Sequence, residues 1–284
     1  MLESRSVKVD GAGGVQLAAD VAGHPDGRPL VLAHGGGQTR HSWAKSVTTL
    51  AQAGYDVTNV DLRGHGDSDW AVDYSLDAFA ADIEAVCECR SQPVILVGAS
   101  LGGLASLLLA GRRPELVAAL VLVDVAPQVE PAGAQRIQQF MLSHAETGFA
   151  SPEEAADAVA AYNPSRPRPA ASGRLMKNLR LKADGRYYWH WDPKFLQGDR
   201  RVGIDQAGLE RSAANVRCPV MLVRGVLSDV VSDRSVAELR KLIPSLEYVQ
   251  TEGAAHMVAG DRNDIFLRDL QTFLDKHAPA VAAG

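Results

Sequence analysis

The sequence predicts an α/β protein, a mostly parallel sheet with helices on both faces and one helical insertion. Three observations carry that reading. The runs PLVLA, PVILVGA, LVAALVLVDVAP and CPVMLVRG are apolar along their whole length, the pattern of strands buried on both faces. Segments of helical spacing alternate with them. The alternation stops near Gln128 and resumes after Asn215, so the middle of the chain is expected to be a helical insertion between two strands of one sheet.

In order along the chain, SVKVDG and VQLAADVAG alternate around glycine-rich turns and read as an N-terminal hairpin. PLVLAHGGG is a buried strand running into a loop. SWAKSVTTLAQAG has helical spacing and closes on Gly54. YDVTNV is the next strand, and DLRGHGDSD is a glycine-rich loop after it. Ser75 is placed to cap the helix SLDAFAADIEAVCECR. PVILVGA then leads through Ser100 into a helix reaching about Gly111, and LVAALVLVDVAP is another buried strand. Residues 128–215 contain proline- and arginine-rich interruptions and the aromatic cluster YYWHWDP. This divides the chain into a core of 1–127 and 216–284 and a cap of 128–215. The C-terminal third returns to strand and helix: CPVMLVRG, RSVAELRKLI, LEYVQTEG and NDIFLRDLQTFLDKH.

Composition narrows the function classes. A chain of 284 residues, 46% hydrophobic and 22% charged, has the makeup of a globular protein. Its net charge of −5 argues against a general nucleic-acid binder. Three cysteines at irregular spacing make no disulfide framework, and Cys87 and Cys89 point to different helix faces. The opening MLESRSVKVDG lacks the apolar stretch of a signal peptide, and no run of about 18 apolar residues is present. The expectation is a cytoplasmic protein with a small-molecule substrate, no nucleic-acid or membrane partner, no cofactor and no metal. A homodimer stays open.

The segment VILVGASLGG carries the chemistry. Gly98-Ala99-Ser100-Leu101-Gly102 is a G-x-S-x-G motif set between a strand and a helix, the context that gives the motif meaning. A serine lifted on so tight a turn needs strained dihedrals and small neighbours. The helix beginning at Leu101 aims its free N–H groups at the same point.

A serine hydroxyl is a poor nucleophile near neutral pH and needs an oriented base. His256, in the loop GAAHMVAGDRND after the last strand, is the expected base. Asp229, four residues after Gly225, is the expected acid; Asp124 at the end of LVLVD is the alternative, and Asp233 reads as a helix cap. The expected oxyanion donors are the N–H of Leu101 and, from HGGGQT, that of Gly36, with Gly37 next.

Other residues read more plainly. His34 is expected to fasten the glycine loop. Asp61, His65, Asp67 and Asp69 resemble a metal cluster but lack ligand spacing, so DLRGHGDSD reads as a structural turn. GAGGV precedes a strand and fails as a dinucleotide fingerprint. Trp189 and Trp191 either roof the pocket or pack the cap onto the core, and Met257 is expected at the pocket wall.

Together HGGGQTRHSW, DLRGHGDSD, VGASLGG, VRGVLSDVVS and GAAHMVAGDRND resemble the α/β-hydrolase superfamily, nearest its haloperoxidase-like and epoxide-hydrolase-like branch. The resemblance implies the α/β-hydrolase fold, with a mostly parallel eight-stranded sheet, a helical cap after the sixth strand and a nucleophile–acid–histidine triad. Epoxide hydrolases and haloalkane dehalogenases use an aspartate at the elbow; here it is Ser100, which turns the expected chemistry to acyl groups. The implied activity is hydrolysis of a carboxylic ester or lactone of a small to medium, partly apolar substrate through an acyl-enzyme. Carbon–carbon bond hydrolysis, perhydrolysis and a non-catalytic receptor are the alternatives on the same fold.

Overall fold

The computed structural model describes residues 4–164, 167–197, 205–253 and 263–280. Its strands are β1 (Arg5–Asp10), β2 (Gln16–Ala22), β3 (Arg28–Ala33), β4 (Tyr55–Val60), β5 (Val94–Ala99), β6 (Val117–Val123), β7 (Leu179–Leu181), β8 (Tyr187–Trp189), β9 (Val220–Gly225) and β10 (Glu247–Thr251). Its α-helices are α1 (Ala44–Gln52), α2 (Leu76–Glu88), α3 (Ser100–Arg112), α4 (Pro131–Ser143), α5 (Pro152–Tyr162), α6 (Arg174–Lys177), α7 (Gln206–Asn215), α8 (Asp233–Leu242) and α9 (Asn263–His277).

Eight strands form one sheet in the order β1-β2-β4-β3-β5-β6-β9-β10. The β1–β2 and β2–β4 pairs are antiparallel and every other neighbouring pair is parallel. The helical segment enters after the sixth strand, as the sequence predicts.

Alternate residues of the central strands serve opposite faces. Leu30 and Leu32 of β3 pack with Val47, Leu50, Phe266, Leu270 and Phe273, so α1 and α9 cover one face. Val31 and Ala33 pack with Phe79, Ile83, Leu107, Leu209 and Val236, so α2, α3, α7 and α8 cover the other. Each fully buried Leu or Phe side chain contributes about 1.5–3 kcal/mol. With both faces covered, the central strands β5 and β6 carry no polar residue at any position, rather than alternating.

Local signals act where the sequence places them. The Ser75 side chain accepts from Ala78 N–H and caps α2. Ser232, not Asp233, caps α8: its hydroxyl accepts from Ser235 N–H in a reciprocal capping box, while Asp233 lies in the first turn and pairs with Arg224. The run Ala12–Gly14 is a short 3₁₀ turn joining β1 to β2.

The segment between β6 and β9 is not wholly helical. Tyr187–Trp189 of the aromatic cluster pairs antiparallel with Leu179–Leu181. This hairpin, with α5 and α6, closes over a small apolar cluster of Phe149, Ala155, Ala156, Leu175 and Leu179. Within 128–215, α7 lies along α3 of the core: a side chain at Gly111 would run into the Ser212 backbone, and Leu209 and Ala213 are buried there. Among the described residues no helix is long and apolar enough to cross a membrane.

Candidate active site

The carboxyl end of the sheet builds the site. Ser100 sits where β5 passes into α3, with φ of 45°, a left-handed conformation that costs an L-residue about 1–2 kcal/mol. Glycines make the turn physically accessible. A Cβ on Gly98 would stand 2.5 Å from the Gly102 carbonyl oxygen, and one on Gly102 would stand 2.5 Å from that of Ala33. The first turn of α3 is thus pressed against the ends of β3 and β5, which only hydrogen at these positions permits. Gly102 N–H donates to His34 O at 3.2 Å and fixes the approach.

The glycine loop that carries Gly36, one expected oxyanion donor, packs against Leu101, the other: a Cβ on Gly36 would lie 3.8 Å from Leu101 Cδ2. Leu101 N–H heads α3, and neither it nor Gly36 N–H has an acceptor among the described residues. A Cβ on Gly35 would lie 3.3 Å from Ser100 Cβ, so the glycine loop passes directly over the serine. Gly37 differs from expectation. Its N–H donates to His65 Nε2 at 3.1 Å and is committed inside the protein.

His34 does fasten the loop, and its bonding fixes its tautomer. Leu62 N–H donates to His34 Nε2 at 3.0 Å, so that nitrogen carries no proton, and Nδ1–H donates to Gly35 O at 2.8 Å. Gly35 O also accepts from Gln38 N–H. A planar trans peptide with its carbonyl held on one side directs the next N–H, that of Gly36, to the other. Burial pushes the His34 pKa below 6.5, against the opposing pull of Asp61. The unfolded chain therefore binds this proton at a higher pH than the native protein does. Stability is complete above pH 6.5 and falls as pH drops below it toward the native pKa. We expect the urea midpoint to be lower at pH 5.5 than at 7.5, and His34→Gln to flatten that dependence; an equally steep response in the variant refutes the assignment.

The loop after β4 is held by charge and hydrogen bonds, as a structural turn should be. Arg40 pairs with Asp61 and with Asp67, and Arg63 holds Asp82 through Nε at 2.6 Å. His65 is completely buried.

The two candidate acids part clearly. Asp229, the expected one, points its carboxylate to Arg136 of α4 at 2.9 Å and is about one-third exposed. A side chain at Gly133 would collide with the Asp229 backbone, so α4 rests on this loop. Asp124 is fully buried, with φ of 50°, at the end of β6. Because Ala99 pairs with Val123, Asp124 stands one residue beyond the register partner of the residue before Ser100, on the adjacent strand. Neighbouring strands lie about 4.8 Å apart. Its Oδ1 accepts from Gly225 N–H at 3.1 Å and its Oδ2 from Ser228 Oγ at 2.6 Å. Ser228 Oγ also accepts from Val230 and Val231 N–H, a turn that sends the next residue, Asp229, outward. Ser228 and Arg136 were not singled out by sequence; a serine in a loop and an arginine in a helix carry no signal of these contacts.

His256 and Met257 lie outside the described residues. The tryptophans divide. Trp191 is buried, and its backbone bridges that of His65, so it joins cap to core. Trp189 is half-buried in an aromatic group with Phe140 and Phe149, and Phe140 stacks on Tyr162 at 4.2 Å. Phe195 and Met141 cover the glycine loop: a Cβ on Gly36 would meet the Phe195 ring at 3.1 Å, and one on Gly37 the Met141 methyl at 2.7 Å.

Comparison with known proteins agrees with this architecture. Residues 28–262 match the family model described as alpha/beta hydrolase fold. An esterase of Mycobacterium tuberculosis is 31% identical over 254 residues, covering 87% of this chain and 82% of its own. An sn-1-specific diacylglycerol lipase of Mus musculus is 29% identical, covering 86% and 80%. A crystal structure of E-2-(acetamidomethylene)succinate hydrolase superposes with a TM-score of 0.83 at 25% identity, covering 96% of this chain and all of that one. With a strained serine between β5 and α3, a glycine loop over it and this match along most of its length, the chain belongs to the alpha/beta hydrolase fold family and is a hydrolase.

Proposed function

We propose that the protein hydrolyses carboxylic esters or lactones of small to medium, partly apolar substrates through an acyl-enzyme on Ser100. The observation that carries this is a strained serine at the head of α3 with a glycine loop packed over it, where neither Gly36 N–H nor Leu101 N–H has an acceptor among the described residues. His256 is the base, and Asp124 rather than Asp229 is the acid that orients it.

In the acylation step Ser100 Oγ attacks the substrate carbonyl carbon as its proton passes to His256. The C=O electron pair moves onto oxygen, and the oxyanion accepts from Gly36 and Leu101, each donor contributing about 3–4 kcal/mol of transition-state stabilisation. The helix dipole of α3 favours the same charge. Collapse breaks the carbon–oxygen bond, and His256 gives its proton to the leaving alkoxide. Water then repeats the sequence on the acyl-enzyme, releasing the acid and Ser100. Asp124 is suited to orient an imidazole and stabilise its cationic form, because two donors already hold its carboxylate in place at the strand end. Asp229 is engaged with Arg136.

The aromatic group of Phe140, Tyr162 and Trp189 in the cap supports an apolar substrate portion. Relatives named as an esterase and a lipase support the ester class.

The test is intact-mass spectrometry after treatment with a fluorophosphonate, followed by a panel of p-nitrophenyl esters and lactones of graded size. We expect one adduct, mapped to Ser100, and turnover that peaks at a short-to-medium acyl chain. Turnover of esters with no adduct on Ser100 rejects the mechanism.

A further inference from the structure

The His65 ring stands between its own loop and the glycine loop that passes over Ser100. Gly37 N–H donates to its Nε2 at 3.1 Å, and its Nδ1–H donates to Arg63 O at 2.9 Å. The ring is fully buried, edge-on to Phe195 at 4.5 Å and to His34 at 5.2 Å. The backbone around it is stitched to the cap: Gly66 N–H donates to His190 O and Asp192 N–H to Gly64 O, both at 2.7 Å, with His65 and Trp191 bridged between them.

Two histidines therefore hold consecutive peptide planes of the glycine loop. His34 holds the plane ending in Gly36 N–H through the Gly35 carbonyl, and His65 holds the next through Gly37 N–H. Glycines offer no side chains by which to fix a backbone, and Gly37 takes φ of 77°. The conformation must be imposed from outside. We infer that His65 is a positioning residue for the oxyanion hole: its Nε2 fixes the Gly36–Gly37 peptide, and through Trp191 it links that geometry to the seating of the cap. Gly37 N–H is thereby withdrawn from the substrate, leaving Gly36 and Leu101 as the donor pair. This rests on the serine-hydrolase reading above.

The test compares three replacements. His65→Gln presents an amide oxygen near the place of Nε2 and keeps an acceptor for Gly37 N–H. His65→Asn reaches only to the place of Nδ1, and His65→Phe keeps the ring without any acceptor. Circular dichroism melts report folding, and kcat, KM and the rate of fluorophosphonate labelling of Ser100 are measured on the folded protein. We expect Asn and Phe to lower kcat and the labelling rate together by roughly 10- to 100-fold, with KM within about threefold, because a displaced donor weakens the transition state and not the ground state. Gln should stay within about fivefold of wild type. If one acceptor-free variant does not fold, the other decides.

A purely structural His65 would lower melting temperature while leaving kcat per folded molecule unchanged; that result, or Gln no better than Asn, overturns the inference. Absence of an adduct on the wild type overturns the serine-hydrolase reading, and this inference with it.

Discussion

Ser100→Ala is expected to lower kcat for a p-nitrophenyl ester by about 10⁶-fold, the scale of removing a nucleophile from a triad. The fold survives, because the pressed turn is made by Gly98 and Gly102 rather than by the hydroxyl. Alanine inherits the φ of 45° and its strain. Ser100→Gly does not. Glycine enters the left-handed region without penalty, at some entropic cost from the unfolded chain, so it should be more stable than Ser100→Ala by up to about 1 kcal/mol. Ester turnover by both variants and their urea midpoints test the two halves separately. Residual activity above about 1% in either discounts Ser100 as nucleophile. A glycine variant less stable than the alanine one shows that the strain at this turn is smaller than glycine's entropic cost of about 0.5–1 kcal/mol.

The acid gives the second large effect. Asp124→Asn is expected to lower kcat by about 10⁴-fold, since an amide holds the imidazole in the wrong tautomer and offers its cation no charge. Asn suits the site sterically and tolerates a φ of 50° better than most residues. Its carbonyl oxygen still accepts from Gly225 or Ser228, so folding is retained. Asp229→Asn should stay within about fivefold of wild type, because it loses an ion pair with Arg136 that is partly exposed on both sides, worth under about 1 kcal/mol. The reverse ranking in kcat assigns the acid to Asp229.

Much of the architecture was legible in the residues. The apolar runs of β3, β5, β6 and β9 admit no other role in a parallel sheet, and small residues around Ser100 announce a turn that a bulky neighbour would forbid. What stayed hidden depends on distances between segments far apart in the chain. Asp124 and Asp229 both follow a strand, so spacing alone favours neither. The register of β5 on β6, the hydroxyl of Ser228 and the guanidinium of Arg136 separate them. His65 looked like a turn residue and is one, yet the acceptor it offers Gly37 lies 28 positions away. The aromatic cluster was divided by packing: Trp191 turns to the core and Trp189 to the cap. Helix α7 reads as part of the insertion because nothing in its sequence reveals that α3 is its partner.

An acid at the end of β6 also bears on how the protein is open to recombination. Ser100 and Asp124 both precede residue 128, each directly after the end of one of two adjacent parallel strands. On the proposed assignment, the inserted segment then interrupts the chain after nucleophile and acid have both been placed at the ends of neighbouring strands. If the aromatic group of this segment lines the pocket as proposed, exchanging residues 128–205 for the equivalent stretch of a relative is expected to change substrate preference while Ser100 and Asp124 keep their strand-end positions. Retaining α7 in such a chimera keeps the contact with α3. The proposed nucleophile and acid thus both lie outside the inserted segment, which makes that segment the unit to graft when new substrate preferences are sought.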